Sequence, residues 1–248
     1  AAIGMDVSVI VPETTKTLVL EKLRTLGAEV TVHGKNWNEA DGLARDLVAD
    51  TPGAEYVSPY DNPLLWTGHS TAIDEILEDL PEEDLGCVVA SVGGGGLLCG
   101  VLEGLARHGS RAKVVAAETE GAASYAAARE AGGPVRLNAI TSVATSLGAL
   151  EVTPVAVERA ESHENVDQSV CTDAEAVEAC VRLAADHRLL VEPACGAALA
   201  ALYSERLRPN LLERIEKGSA IVVEVCGGSG VDIDLLDIWR KEYMGETE

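Results

Sequence analysis

Four consecutive glycines, Gly93, Gly94, Gly95 and Gly96, stand between the apolar run Cys87–Val92 and an apolar-faced stretch that opens at Leu97. Without Cβ atoms such a backbone turns tightly and aims several N–H groups at one point. A helix opening behind it adds its positive end, so a phosphate monoester is the natural guest. A flexible linker is the competing reading, but glycine linkers are usually flanked by polar sequence, not by a buried strand and helix. No Gly-Lys-Ser/Thr follows, which excludes a Walker loop. A Gly-x-Gly-x-x-Gly dinucleotide fingerprint is matched only loosely, with no acidic residue closing a second strand at the expected distance.

A second set of glycines ends the run Val222-Val223-Glu224-Val225-Cys226-Gly227-Gly228-Ser229-Gly230. Ligands of open α/β sheets bind outside the carboxyl ends of strands, so both glycine sites can face one crevice, with Cys226 a polar handle inside it. A buried thiol before a tight turn fits the composition equally well. Glu192-Pro193-Ala194-Cys195-Gly196-Ala197-Ala198 reads as a helix start of small, closely packing residues, with Glu192 near the exposed N–H groups. By itself it is a packing motif.

The elements that must position these residues follow from periodicity. Val7–Val11, ended by Pro12, predicts a buried strand, and Glu29–Val32 a second. Between them Val19, Leu23 and Leu26 recur at helical spacing, with Thr14 or Thr15 as N-cap and Gly27 as the stop. Asn36 or Asn38 caps a further helix through Val48. Ser58–Pro63, with two prolines, is the linker candidate. Beyond it the spacing predicts a helix through Ile73, Ile76, Leu77 and Leu80, a strand over 87–92, a helix over 96–107 and a strand over 113–117. Thr172 with Glu175 forms a capping box ahead of a helix. A helix over 195–207, a strand over 220–225 and a helix over 232–243 complete the pattern. Strands alternating with helices in short order predict an α/β protein with parallel sheets.

The 248 residues carry 47% apolar side chains, which marks a soluble globular chain. The longest uncharged stretch, Leu85–Leu102, is broken by the glycines, so no run reaches the roughly 20 apolar residues of a membrane span. Nineteen basic against 41 acidic residues give a net charge of −22. Such a surface repels nucleic acid and anionic lipid, so neither is an expected partner. Cysteines at 87, 99, 171, 180, 195 and 226 form no Cys-x-x-Cys pair and no zinc-ligand spacing. They read as reduced thiols in a cytoplasmic protein.

Taken together, these segments resemble the serine/threonine dehydratase group of pyridoxal-phosphate enzymes, closest to the L-serine dehydratase type. Ser91–Val101 is similar to the family's phosphate loop, Glu192–Tyr203 to a signature helix, and Val225–Ser229 to the segment beside the cofactor's pyridine nitrogen. Val11–Thr15, Pro63–His69 and Ile140–Ala144 add to the likeness, which runs over nearly the whole chain in the family's order. The resemblance implies the two-domain fold type II of these enzymes, as in the tryptophan synthase β chain, with the cofactor between domains. Residues 1–62 would be the remainder of the smaller domain and 63–248 the larger, cofactor-binding one. Main-chain N–H groups of Gly93, Gly94, Gly95, Gly96 and Leu97 would hold the phosphate of pyridoxal 5'-phosphate. Cys226 would contact the pyridine nitrogen, and Ser146 would lie against the ring face. A neutral thiol there suits elimination, because it need not keep the ring nitrogen protonated. A monovalent cation would sit near Gly93, Glu118, Ala122 and Leu147. The implied activity is deamination of a small amino acid, L-serine and also L-threonine, by an enzyme that works as a homodimer.

The family's Ser-x-Lys-x-Arg-like segment, with the Schiff-base lysine, and its Ser-Gly-Asn-like substrate loop precede the strand matched by Val7–Val11. Neither occurs in this sequence. Lys16, Lys22, Lys35, Lys113, Lys217 and Lys241 all lack that context and read as solvated surface. That lysine exchanges with the substrate amine and removes the Cα proton, so the chain as given is expected to be inactive alone. Ala1–Met5, directly before a strand and without an initiator methionine, reads as the tail of a helix whose start is missing. A fragment of a longer chain is thus the first expectation, and a shortened, non-catalytic paralogue that holds the cofactor or serves as an interaction module the second. A β-replacement enzyme of the cysteine synthase type and a nucleotide-binding protein are the remaining alternatives.

Overall fold

The β-branched run before Pro12 forms strand β1 (Ser8–Val11) in the computed structural model, which describes residues 4–81 and 84–245. The chain divides into two compact units, Ala1–Ser58 and Pro59–Glu248. In the first, β1 is followed by α1 (Thr17–Thr25), β2 (Glu29–Val32) and α2 (Trp37–Asp50). The two strands are parallel, with Val9 opposite Val30. The N-cap of α1 is Lys16, not Thr14 or Thr15. Thr15 N–H donates to the Pro12 carbonyl at 3.0 Å, so a turn occupies those residues before the helix begins. Asn36 does cap α2, accepting from Glu39 N–H, and Glu39 returns its carboxylate to Lys35 N–H at 2.9 Å. Of the expected helix tail at Ala1–Met5, Ala1–Ile3 lie outside the described residues, and Gly4 takes φ +77, in the left-handed region.

The second unit begins at Pro59, inside the linker candidate Ser58–Pro63 and earlier than the 62/63 boundary implied by the resemblance. Tyr60 carbonyl accepts from Trp66 Nε1 at 2.7 Å and Asp61 accepts from Thr153 Oγ1 at 2.7 Å, which ties residues 60 and 61 to the second unit. Pro63 opens α3 (Pro63–Asp79), where its missing N–H costs nothing, and Asn62 caps it. Then come β3 (Leu85–Ser91), α4 (Gly96–His108), β4 (Lys113–Thr119), α5 (Ser124–Ala131), α6 (Pro154–His163) and β5 (Val166–Cys171). The chain closes with α7 (Asp173–His187), α8 (Pro193–Tyr203), α9 (Arg208–Leu212), β6 (Ala220–Val223) and α10 (Ile233–Met244).

The four strands of this unit form one parallel sheet in the order β5-β4-β3-β6. Side chains alternate across it: Val88 and Ala90 join the core under α3 and α4, while Cys87 and Val89 join the one under α8. Both faces are therefore covered, as parallel sheets require. Close helix packing on the first face needs Gly104, whose Cβ would stand 2.6 Å from Ile73 Cβ. Among the described residues no helix is long and apolar enough to cross a membrane.

Candidate cofactor site

Strands β3, β4 and β5 step outward in one direction, whereas β6 lies on the other side of β3. The order of the sheet therefore reverses between β3 and β6, and such a reversal opens a crevice at the strands' carboxyl ends. The tetraglycine follows β3 there, and Cys226 follows β6. Ladder pairing of Val89 with Val223, continued by Glu224 N–H donating to the Val89 carbonyl at 2.9 Å, sets the two segments level. Ser91, the last residue of β3, is a hydrogen-bond partner of the Cys226 thiol.

Each glycine of the loop is held by a neighbour. Gly93 carbonyl accepts from Ser124 Oγ at 3.1 Å, and its Cβ would stand 3.0 Å from Leu147 Cα. The Tyr60 ring covers Gly94, where a Cβ would approach Tyr60 Cγ to 2.1 Å, and the Gly94 carbonyl accepts from Thr153 N–H at 2.9 Å. Gly95 is the N-cap of α4 at φ +91, ψ 0, a left-handed conformation that side chains disfavour. These contacts occupy carbonyls and Cα positions and leave the amides alone. Among the described residues, no acceptor in this chain faces the N–H groups of Gly93, Gly94, Gly95, Gly96 and Leu97. A phosphate fits that donor set, since orphan amides at a helix start need an anionic acceptor.

Ser146 follows the same geometry from a separate segment. It precedes Leu147, which packs on Gly93, and its Oγ donates to Glu192 Oε2 at 3.1 Å. Glu192 is the N-cap of α8, and its own N–H donates to the Gly227 carbonyl at 3.3 Å. Cys195, in the first turn of α8, accepts from Gly227 N–H at 3.1 Å and donates to the Gly227 carbonyl at 3.3 Å. Cys226, which adjoins Gly227, is thereby a neighbour of Cys195, and that neighbour together with burial holds the Cys226 thiol well above an ordinary one. Cys226 is the exposed cysteine of the six, so it is not the buried thiol that the composition equally allows. All seven residues expected to contact the cofactor belong to the second unit: five follow β3, Cys226 follows β6, and Ser146 adjoins them beside Leu147. Glu192 and Cys195, which the sequence presents as packing residues, adjoin Ser146 and Gly227; the Glu-Pro helix opening is their only signal.

The four residues expected around a cation are also neighbours. Gly93 reaches the start of α5 through Ser124, and both Glu118 oxygens accept there, from Tyr125 and Ala126 N–H at 2.8 Å each. Ala122 lies just before α5 and Leu147 against Gly93. Glu118 is fully buried, and that burial pushes its carboxyl up to about 7 in spite of the two amide donors. Among the described residues no three His, Cys, Asp or Glu side chains cluster as metal ligands. A cation here would therefore rest on Glu118 and main-chain carbonyls.

The lysines of this unit stand elsewhere. Lys113 starts β4, at the opposite end of a seven-residue strand, and pairs with Asp167 at 2.9 Å. Lys217 precedes β6, and Lys241 on α10 pairs with Asp237 at 2.7 Å.

Residues 1–227 match the sequence model of the family described as pyridoxal-phosphate dependent enzyme. A human protein named L-serine dehydratase/L-threonine deaminase is 43% identical over 99% of this chain and 75% of its own length. The mouse serine dehydratase-like protein is 46% identical over 94% of this chain and 71% of its own length. The crystal structure of a fungal L-serine ammonia-lyase from Rhizomucor miehei superposes with a TM-score of 0.90 at 34% identity, covering 98% of this chain and 76% of that one. A parallel sheet with helices on both faces, a phosphate-type loop after β3 and these likenesses agree: the chain belongs to the pyridoxal-phosphate dependent enzymes of fold type II, in their serine/threonine dehydratase group.

Proposed function

We propose that this chain carries the cofactor-binding part of an enzyme that deaminates L-serine, and also L-threonine, by β-elimination to a 2-oxo acid and ammonia. The names of the human and fungal relatives support the substrate class. The observation that carries the reading is the set of five acceptor-free amides at the switch point of the sheet, level with Cys226. When bound, pyridoxal phosphate supplies an electron sink for the charge left by α-proton removal. The chain's own groups bind and orient. Amides of Gly93, Gly94, Gly95, Gly96 and Leu97 hold the phosphate, with the positive end of α4 behind them. The Cys226 thiol would lie beside the pyridine nitrogen and keep its own proton, and Ser146, fixed by Glu192, would lie against the ring. Gly93, Ala122 and Leu147 would lend carbonyls, and Glu118 its carboxylate, to a monovalent cation that braces the loop. A homodimer and a cytoplasmic setting complete the proposal; the resemblance supports the first and the six free thiols the second.

The placement of the lysines favours a second, narrower reading of the 248 residues by themselves: they hold cofactor without turning over. One set of measurements addresses both. Pyridoxal phosphate is titrated into the protein and followed by absorbance, then borohydride is added and peptides are mapped. Saturable binding with no lysine adduct is expected. Failure to bind refutes the cofactor site, and 2-oxo acid release from serine by these residues alone refutes the narrower reading. In a lysine-bearing parent, cysteine or thioether formation in place of 2-oxo acid would make it a β-replacement enzyme.

A further inference from the structure

We propose that Thr153 and Asp61 are positioning residues of the loop after β3: together they hold the Gly94–Gly95 peptide in the orientation that presents the Gly95 N–H to an anion. The controlling bond is made at the carbonyl, where Thr153 N–H donates to Gly94 at 2.9 Å. A trans peptide unit is planar, with its C=O and N–H on opposite edges. Drawing the Gly94 carbonyl toward Thr153 therefore turns the Gly95 N–H of the same plane away from α6. That N–H is one of the five amides without an acceptor. Glycine on both sides lets this peptide rotate at little cost, so its orientation must be imposed from outside.

Thr153 is the N-cap of α6, where a threonine hydroxyl ordinarily accepts from one of the helix's own first amides. It makes no such bond, and its Oγ1 donates to Asp61 at 2.7 Å instead. The cap is forgone, and the hydroxyl ties down the segment that roofs the loop. Asp61 follows Tyr60, whose ring covers Gly94 and whose carbonyl oxygen would stand 2.6 Å from a Cβ on Gly96. Trp66 Nε1 pins that same carbonyl at 2.7 Å. On the other side Pro154 restricts the residue before it, and Thr153 is extended at φ −59 and ψ 133. Thr153 is buried, so its place is fixed by packing as well as by both bonds. Without the Asp61 bond, nothing joins the roof to the residue that holds the Gly94 carbonyl. The effect on cofactor rests on the function proposed above: a Gly95 N–H turned elsewhere leaves the phosphate one donor short.

The test uses the whole chain without ligand and reads the direction of the Gly95 N–H from its residual dipolar coupling, set against the couplings of the sheet. Thr153→Val removes the hydroxyl at nearly equal volume, Asp61→Ala removes its acceptor at an exposed position, and Thr153→Ser keeps the bond. The Gly95 N–H should turn in the first two and stay as in wild type in the third. An unchanged Gly95 coupling in both Thr153→Val and Asp61→Ala overturns the proposal, and Asp61→Ala alone decides it if the valine variant does not fold. Calorimetry then measures binding of pyridoxine 5'-phosphate, which carries the phosphate but no aldehyde to react with surface lysines. Loss of one hydrogen bond to a charged group weakens binding roughly tenfold, which is the loss expected of either variant. The double variant should bind no more weakly than each single one, because the two residues act through one bond. A wild-type protein that never binds the phosphate, with Gly95 still turning in the variants, would refute the cofactor reading and leave the positioning role standing. Variants that bind as wild type does, with Gly95 unturned, would do the reverse.

Discussion

Gly95→Ala probes the turn on which the site is built. At φ +91 an alanine in place of Gly95 costs about 1–2 kcal/mol of backbone strain. Its Cβ would also stand 2.8 Å from Val152 Cγ2 and 2.9 Å from Ala156 Cβ, both on buried residues. Overpacking of that kind costs about 1–3 kcal/mol. The two together predict a loss of about 2–5 kcal/mol, a large share of the roughly 5–15 kcal/mol that holds a domain. For a unit of this size the melting temperature should fall by roughly 4–20 °C. Gly68→Ala is the control. Gly68 lies inside α3 with nothing within 4 Å of its Cβ position, so alanine there should stabilise by about 1 kcal/mol. Urea denaturation of the three proteins measures both effects, and a phosphate titration follows the loop itself. A Gly95→Ala protein within about 0.5 kcal/mol of wild type, binding phosphate equally well, would refute this account of the turn.

Three further outcomes are expected. Glu118 binds its proton more tightly folded than unfolded, so stability falls as pH rises from the ordinary 4.5 to about 7; across that window denaturation should show wild type losing about 3 kcal/mol more than Glu118→Gln. Glu175 is held at about 2, chiefly by Arg206, so its contribution is present above 4.5 and lost as pH falls through about 2. Arg206→Ala should cost about 2 kcal/mol at neutral pH, after allowance for an arginine that is 55% exposed, and flatten the acid limb of the stability curve. With a net charge of −22 the fold repels itself, so melting scans should show thermal stability rising from about 0.05 to about 1 M salt as screening shortens its range.

What the sequence makes legible is whatever repeats or caps locally. The capping box at Thr172 and Glu175 is present, the Asn36 cap is present, and the tetraglycine does join a buried strand to a helix. Strand β5 leaves no trace, because Val166-Asp167-Gln168-Ser169-Val170-Cys171 is a polar edge strand with neither a clean alternation nor an apolar run. The sequence reading assigns neither α5 nor α6. Ends move where tertiary contacts override propensity: the helix expected over 195–207 starts at Pro193 and stops at Tyr203. In the site, the phosphate loop is legible because glycine has a local conformational meaning. The hydrogen bonding of Cys195 with Gly227 is not, because the two stand 32 positions apart and the parallel register of β3 with β6 is needed to bring Gly227 beside α8.

Nuclear magnetic resonance of the isotopically labelled protein tests the phosphate cradle most directly, by following each backbone amide while pyridoxal phosphate is added. Gly93, Gly94, Gly95, Gly96 and Leu97 should shift first and furthest, and inorganic phosphate should move the same five amides while leaving Cys226 unmoved. Perturbations centred on any other surface, with these five resonances unchanged at saturation, would contradict the account.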